Sequence, residues 1–317
     1  MQSGGTTRFR WVILCRHLRP FICATAICAS PIYIKKEPIM STMTDAFPEL
    51  NRVRQFFPLG VDKPKLLTPP QIEQYNQKGY IFPFDVFSAD EIAQYRAYFD
   101  ELLPKALAAG WNSYEITNWH KYCAGVWDLV THSRILDYVQ DLLGETLILR
   151  HSHFFAKLPG DGKRVSWHQD ASYWPLSVSK VVSAWLAIDD VDLENGAMQV
   201  IPGSHLNAQV AFEKSSAAEQ NVLNQTVHNP EHYGDPPVAI ELKAGQMSLH
   251  SDWILHGSEP NHSNRRRCGL AMRFLAADVR AYNGWNQHSI VCRGVEPTGH
   301  WANHPRPAGE MIPVKEA

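Results

Sequence analysis

The spacing of apolar positions along the chain changes once, near Gly144. Before it, apolar residues recur at helical intervals. Thr68-Pro69-Pro70-Gln71 reads as a capping box with proline at the first helical position, and Gly79 stops the short helix it opens. A brief strand is expected over 80–84. Ser88-Ala89-Asp90-Glu91 is a second capping box, opening a helix whose Ile92, Tyr95, Phe99, Leu102 and Leu103 share a face, and Pro104 is expected to limit its run. Residues 133–143 read as a third helix, with Ile135, Leu136, Val139, Leu142 and Leu143 on one stripe and Gly144 at its end. After Gly144 the period falls to two. Strands are expected over 146–157, 165–170, 180–188, 197–201, 238–242, 246–250, 251–256 and 268–275, with turns at Pro159-Gly160, Pro202-Gly203 and Ala244-Gly245. Helices first, then short strands between turns, predict a mainly β protein with flanking helices. The expected core is a double-stranded β-helix of the jelly-roll, cupin-like kind, with the helices against one side of a sheet. Residues 207–236, rich in Asn, Gln, Ser and His, read as a lid-like insertion over the barrel mouth.

Composition narrows the function classes. A hydrophobic share of 44% with 20% charged residues, over 317 positions, is that of a soluble globular protein large enough for one catalytic domain. The net charge of −2 is unevenly placed: residues 1–42 carry Arg8, Arg10, Arg16, Arg19, Lys35 and Lys36 against Glu37, a net +5, so the remainder carries −7. An acidic body argues against a nucleic-acid partner. The apolar runs of residues 1–42 are broken by Arg16, Arg19, Pro20 and Pro31, so no membrane span is expected there. This segment reads as an extension outside the domain, either upstream of a start at Met40 or Met43 or an organellar transit peptide, leaving 43–317 as a single domain. The cysteines, Cys15, Cys23, Cys28, Cys123, Cys268 and Cys292, show no paired spacing, which suits free thiols in the cytoplasm or another reducing compartment. The oligomeric state has no signature in the sequence.

The chemistry concentrates at Trp167-His168-Gln169-Asp170. On an extended strand, residues two apart leave the same face, so His168 and Asp170 present an imidazole and a carboxylate together. Those are two thirds of a 2-His-1-carboxylate facial triad, the set that holds Fe(II) with open positions. For the third ligand His256, before Gly257 and after an apolar run, leads; His250 is the rival, while His262 and His205 read as turn residues. A chelating 2-oxo acid with a second carboxylate would need a fixed cation, and arginine's planar fork suits it. Alternation along 267–275 places Arg267, Gly269, Ala271 and Arg273 on one face and Cys268, Leu270, Met272 and Phe274 on the other. Arg267 is the expected carboxylate partner, with room over Gly269 and Ala271 for the ligand, and Arg273 is its rival. Arg266 falls on the wrong face, and Arg265 reads as a solvated turn residue. On 180–188, Trp185 lies between small in-phase neighbours and suits a wall against a bound ligand.

Several spans resemble the phytanoyl-CoA dioxygenase family: residues 153–163, Trp167-His168-Gln169-Asp170, Ala184-Trp185-Leu186-Ala187, Glu194-Asn195-Gly196-Ala197-Met198, Ile201-Pro202-Gly203-Ser204-His205, and His256-Gly257-Ser258 with Asn261 and Arg267. The resemblance runs from about Thr68 to the C-terminus. It implies an Fe(II)- and 2-oxoglutarate-dependent dioxygenase that consumes O2, hydroxylates an aliphatic C–H of a small molecule, and releases succinate and CO2. By the same resemblance His168, Asp170 and His256 bind the metal, Arg267 holds the distal carboxylate of 2-oxoglutarate, and Trp185 and His153 match cosubstrate-contacting positions. Asn118-Trp119-His120 resembles a segment bordering the pocket in related enzymes, so Trp119 and His120, with Tyr173, Trp174 and Arg273, are the expected substrate contacts. Halogenating relatives replace the carboxylate with a small residue; Asp170 is present, which points to hydroxylation. Nothing marks a site for the phosphates of coenzyme A. The other readings are a non-oxidative cupin-like protein binding a metal and a carboxylate, and a desaturase or epoxidase of the same enzyme class.

Overall fold

The computed structural model describes residues 42–315, which fall in the unit Met40–Ala317. The extension read over 1–42, with Cys15, Cys23 and Cys28, lies outside the described residues except for Thr42. Among them are four α-helices, all before Gly144 and interrupted by two of the strands: α1 (Pro69–Lys78), α2 (Ala89–Ala108), α3 (Ala124–Val130) and α4 (Ser133–Leu143). The strands are β1 (Tyr80–Asp85), β2 (Ile116–Thr117), β3 (Leu147–Lys157), β4 (Val165–His168), β5 (Val181–Ala187), β6 (Met198–Val200), β7 (Glu213–Lys214), β8 (Gln225–Thr226), β9 (Val238–Ala239), β10 (Gln246–Ser251), β11 (His256–Ser258), β12 (Arg267–Ala276) and β13 (Ile290–Arg293).

Two antiparallel sheets carry the site. The larger runs β1-β10-β5-β12-β3-β13 with β2 beside β3, and the smaller runs β4-β11-β6-β9. One face of the large sheet packs on the helices: Phe99, Leu102, Val130, Leu136 and Val139 meet Phe154, Leu186, Leu249, Leu270 and Phe274 in one buried cluster. Its other face meets the small sheet through Trp185, Ala187 and Ala271 against Met198, Val200, Ile240 and Ile254. This is the expected jelly roll with a helical buttress.

The departures have local causes. Helix α2 runs through Pro104 to Ala108, because buried Leu102, Leu103 and Ala106 anchor its last turns against the core and offset a lost backbone hydrogen bond. The two strands expected over 246–256 are one strand, β10, followed by a turn at Asp252 to Ile254; β11 begins at His256, where the second was expected to end. Strand β4 stops at His168, and Asp170 opens a short 3-10 turn, Asp170–Tyr173. Helix α3, strands β2 and β13, and the β7–β8 pair within the insertion carry no sequence pattern long enough to show a period. Residues 207–236 are tied to β4: the backbone N–H of Val227 donates to the Trp167 carbonyl, and Ser166 Oγ donates to the carbonyl of Gln225.

Candidate active site

Strands β4 and β11 pair so that His168 and His256 stand directly opposite. They can approach because Gly257 has no side chain: a Cβ there would lie 2.9 Å from the carbonyl oxygen of Val165. The two imidazole centroids are 4.1 Å apart. Asp170 comes from the 3-10 turn rather than the strand, yet its Oδ1 sits 3.5 Å from His168 Nε2 and 3.9 Å from His256 Nε2. These three buried side chains are the group of possible metal donors found among the described residues, with ligand atoms all within 4.8 Å of one another.

Backbone carbonyls set the histidine tautomers. His168 Nδ1 is 2.7 Å from the Ser166 carbonyl and His256 Nδ1 is 3.1 Å from that of Ile254. A carbonyl only accepts, so both Nδ1 atoms carry the proton and both Nε2 lone pairs point at Asp170. Burial, then the neighbouring His168 ring, push His256 well below the usual imidazole pKa, so it is neutral. Asp170 is the opposite case. Burial works to raise its pKa, but the Arg273 guanidinium holds it well below the usual carboxylate range. Its Oδ2 accepts from Arg273 Nε and Nη2, both at 3.4 Å.

A cavity of about 430 Å³, part of it open to solvent, lies against this cluster, within the size range of small-molecule sites. His168, His256, His250, Ser258, Arg267 and Arg273 supply its polar lining, and Phe155, Val165, Trp185, Met198, Gly257 and Ala271 complete it. Arg267, the first residue of β12, is 3% exposed. Among the described residues its only acceptors are distant, the Phe155 carbonyl at 3.5 Å and Ser258 Oγ at 3.4 Å, and its Nε has none. No carboxylate among the described residues pairs with it. Burial lowers its pKa to about 10, so it remains a cation at neutral pH. Lys157, opposite it on β3, is by contrast occupied: its ammonium donates to the carbonyls of Lys163, Ser258 and Glu259. The donor set thus fits a divalent metal, and the free guanidinium fits the far carboxylate of a chelating diacid.

The other sequence-predicted residues divide. Trp185 lines the cavity, but its ring occupies the room expected over Gly269: a Cβ at 269 would fall 1.9 Å from the indole, so Ala271, not Gly269, borders the ligand space. His250 lines the cavity too, its ring centroid 5.2 Å from that of His256, but it stands outside the donor cluster. His153 does not line it; its Nε2 is held by the Tyr114 carbonyl at 2.6 Å and its ring packs on Phe155. Trp119 belongs to the helix-side core, edge-on to Trp111, on the opposite face of the large sheet. His120 is tied to Ser152 Oγ at 2.7 Å and the His288 carbonyl at 2.9 Å. Neither borders the cavity, because β2 and the turn after it run along the outer edge of β3. Tyr173 lies nearer, its ring 6.0 Å from His168, and Trp174 lies 6.0 Å from the Arg273 guanidinium. Residues 207–236 contribute nothing to the lining. His205 is buried against Phe56, and His262 is exposed. Arg265 pairs with Asp192 and Glu194 at the surface, while Arg266 is a structural anchor, its fork on Asp189 and its Nη1 on Asp100. Phe155 and Ser258 share inward phase with residues singled out from the sequence and were readable there; Val165 and Met198 carried no such signal.

Comparison with known proteins supplies the class. The family model described as phytanoyl-CoA dioxygenase matches residues 75–269, more than half the chain. A probable alpha-ketoglutarate-dependent hypophosphite dioxygenase of Stutzerimonas stutzeri is 29% identical over 227 residues, 66% of this chain and 79% of that protein. The peroxisomal phytanoyl-CoA dioxygenase of Mus musculus is 24% identical, over 73% of this chain and 75% of its own. Among solved structures, EctD from S. alaskensis with 2-oxoglutarate and 5-hydroxyectoine shares the fold at a TM-score of 0.62 and 20% identity, over 86% of this chain and 96% of that one. The non-heme monooxygenase ThoJ does so at 0.60 and 24%, over 75% and 88%. A non-oxidative cupin-like binder is set aside by these matches. The chain belongs to the phytanoyl-CoA dioxygenase family and is a non-haem iron dioxygenase that uses 2-oxoglutarate and O2.

Proposed function

We propose that His168, Asp170 and His256 hold the Fe(II), that Arg267 holds the far carboxylate of 2-oxoglutarate beside Ser258 and Trp185, and that the enzyme hydroxylates an aliphatic C–H of a small molecule. The observation that carries this is the arrangement around one cavity: two bare Nε2 atoms at one wall with the Asp170 carboxylate beside them, and a buried, unpaired guanidinium at another. When bound, iron, 2-oxoglutarate and O2 supply the oxidation, the cosubstrate leaving as succinate and CO2 and one oxygen atom entering the substrate. The protein supplies placement. The Ser166 and Ile254 carbonyls fix both rings so that their Nε2 atoms face the metal position. Arg273 holds Oδ2 of Asp170 and leaves Oδ1 turned toward the histidines. Phe155, Val165, Met198 and Ala271 make the cavity wall largely apolar, and a low-polarity wall strengthens the Arg267 interaction. Asp170 stands where a halogenating enzyme would have a small residue, which favours hydroxylation.

The relatives' printed substrates, hypophosphite and phytanoyl-CoA, diverge, so the substrate is not read from them. Free Cys123, Cys268 and Cys292 support a reducing compartment, the cytoplasm. Among the described residues no helix is long and apolar enough to cross a membrane. We take 43–317 as the catalytic unit, since the Met43 backbone bridges to Phe212.

Anaerobic titration with Fe(II), followed by succinate release in air, tests the metal assignment. One iron per chain is expected, lost with all turnover in His256→Ala and largely kept in His250→Ala. The reverse pattern would overturn the choice of ligand. Zinc should bind without restoring turnover, because it has no redox chemistry.

A further inference from the structure

A third buried arginine lies beyond Arg273, and nothing in the reaction described above uses it. At Arg150 the pairing of β3 with β12 slips: His151 faces Arg273 and Leu149 faces Phe274, so Arg150 is the extra residue of a β-bulge. Bulges re-aim side chains, and they recur beside active sites. Arg150 is 6% exposed, and its guanidinium carbon stands 3.8 Å from the ring centre of Trp285. A guanidinium stacked on one face keeps its N–H groups, which lie in its own plane, available for a planar or tetrahedral oxyanion. Among the described residues Arg150 has no carboxylate partner and its Nε has no acceptor.

Its neighbours are in the same condition. Both ring nitrogens of His151 and Nη1 of Arg273 are buried without partners among the described residues. Buried polar groups are ordinarily hydrogen-bonded, so a cluster left open marks a place where something else binds. Trp285 and Trp174 form its aromatic side, 5.8 Å apart, with Trp174 next to Arg273. Burial, then the nearby Arg273 charge, lower the Arg150 pKa to about 10, so Arg150 is a cation at neutral pH. Asp170 answers Arg273; nothing in the described chain answers Arg150.

We infer that Arg150 and His151, with the free Nη1 of Arg273, form the recognition end of the substrate site, and that the substrate carries an oxyanion head group, a carboxylate or a phosphonate. This deepens the proposed function and rests on it, because Arg267 is assigned there to the cosubstrate and Arg273 to Asp170. The head group is held at the bulge, and the C–H to be oxidised lies on the Asp170 side of Arg273.

The test uses the full chain, first metal-free and then with Fe(II) and 2-oxoglutarate under nitrogen. It is titrated separately with inorganic phosphate, methylphosphonate and acetate, following tryptophan fluorescence and melting temperature. A saturable response is expected, and whether the phosphonate or acetate arm is the tighter identifies the head group. Arg150→Ala should weaken it by roughly 30-fold or more, as loss of a charge-assisted fork does, and Arg150→Lys should restore part. Arg267→Ala should lose 2-oxoglutarate binding and keep the anion response. If Arg150→Ala fails to fold, His151→Gln should still weaken the response. No saturable response in the unaltered protein, or a response lost in Arg267→Ala but kept in Arg150→Ala, overturns the inference. Failure of the underlying reading is distinct, since it would leave the unaltered protein unable to bind iron and 2-oxoglutarate whatever the anions do.

Discussion

Arg267 and Arg273 leave the same strand from the same face, both are buried, and both line one cavity. Arg273 lies against Asp170 and serves to hold that carboxylate ionised. Arg267 has only two weak contacts to neutral oxygens. Strand phase makes the two equivalent, and pairing separates them: a buried cation with a protein carboxylate is part of the scaffold, while one without is a receptor for a ligand's charge.

The sharpest break of this comparison is Arg273→Ala. It leaves the Asp170 carboxylate buried without its cation, a change that costs on the order of 3–5 kcal/mol. Chemical denaturation of the metal-free protein should register that loss, and iron affinity should fall with it. An unchanged unfolding midpoint would mean the pair is not part of the scaffold. Arg267→Ala should act in the opposite sense. Removing an unpaired buried charge leaves metal-free stability unchanged or raised. Losing the fork should cost about 2–5 kcal/mol of cosubstrate binding, so KM for 2-oxoglutarate should rise roughly 30-fold or more. Arg267→Lys should recover only part, keeping the charge and losing the fork. A near-normal KM in Arg267→Ala with a steep rise in Arg273→Ala would exchange the two roles. The smallest effect belongs to Arg266→Ala. Its forked contact with Asp189 makes it a stability residue, worth on the order of 1–2 kcal/mol, with KM for 2-oxoglutarate unchanged.

What could be read without coordinates follows the range of the interactions. His168 and Asp170 are two residues apart, so their proximity hardly depends on the fold, and it survives the strand ending between them. Alternation along β12 put both arginines inward, because ten residues of regular strand keep phase. The Asp170–Arg273 pair was not readable, since its partners are 103 residues apart and no local pattern links them. Trp119 was misplaced because likeness of a short segment says nothing about which face of a sheet it covers. Gly269 was read as empty room, whereas the neighbouring strand fills it with Trp185. Arg150 escaped for a geometric reason: one unpaired residue shifts the phase of β3, and simple alternation places every position before it on the wrong face.

That single slip in β3 also bears on how such an enzyme could change its diet. A residue outside the ladder can be exchanged without breaking a rung, so position 150 is open to variation while the rungs that fix Phe155 and Lys157 opposite Gly269 and Arg267 stay in register. Retailoring the scaffold for a new metabolite would begin at this loose stitch and leave the oxidising centre untouched.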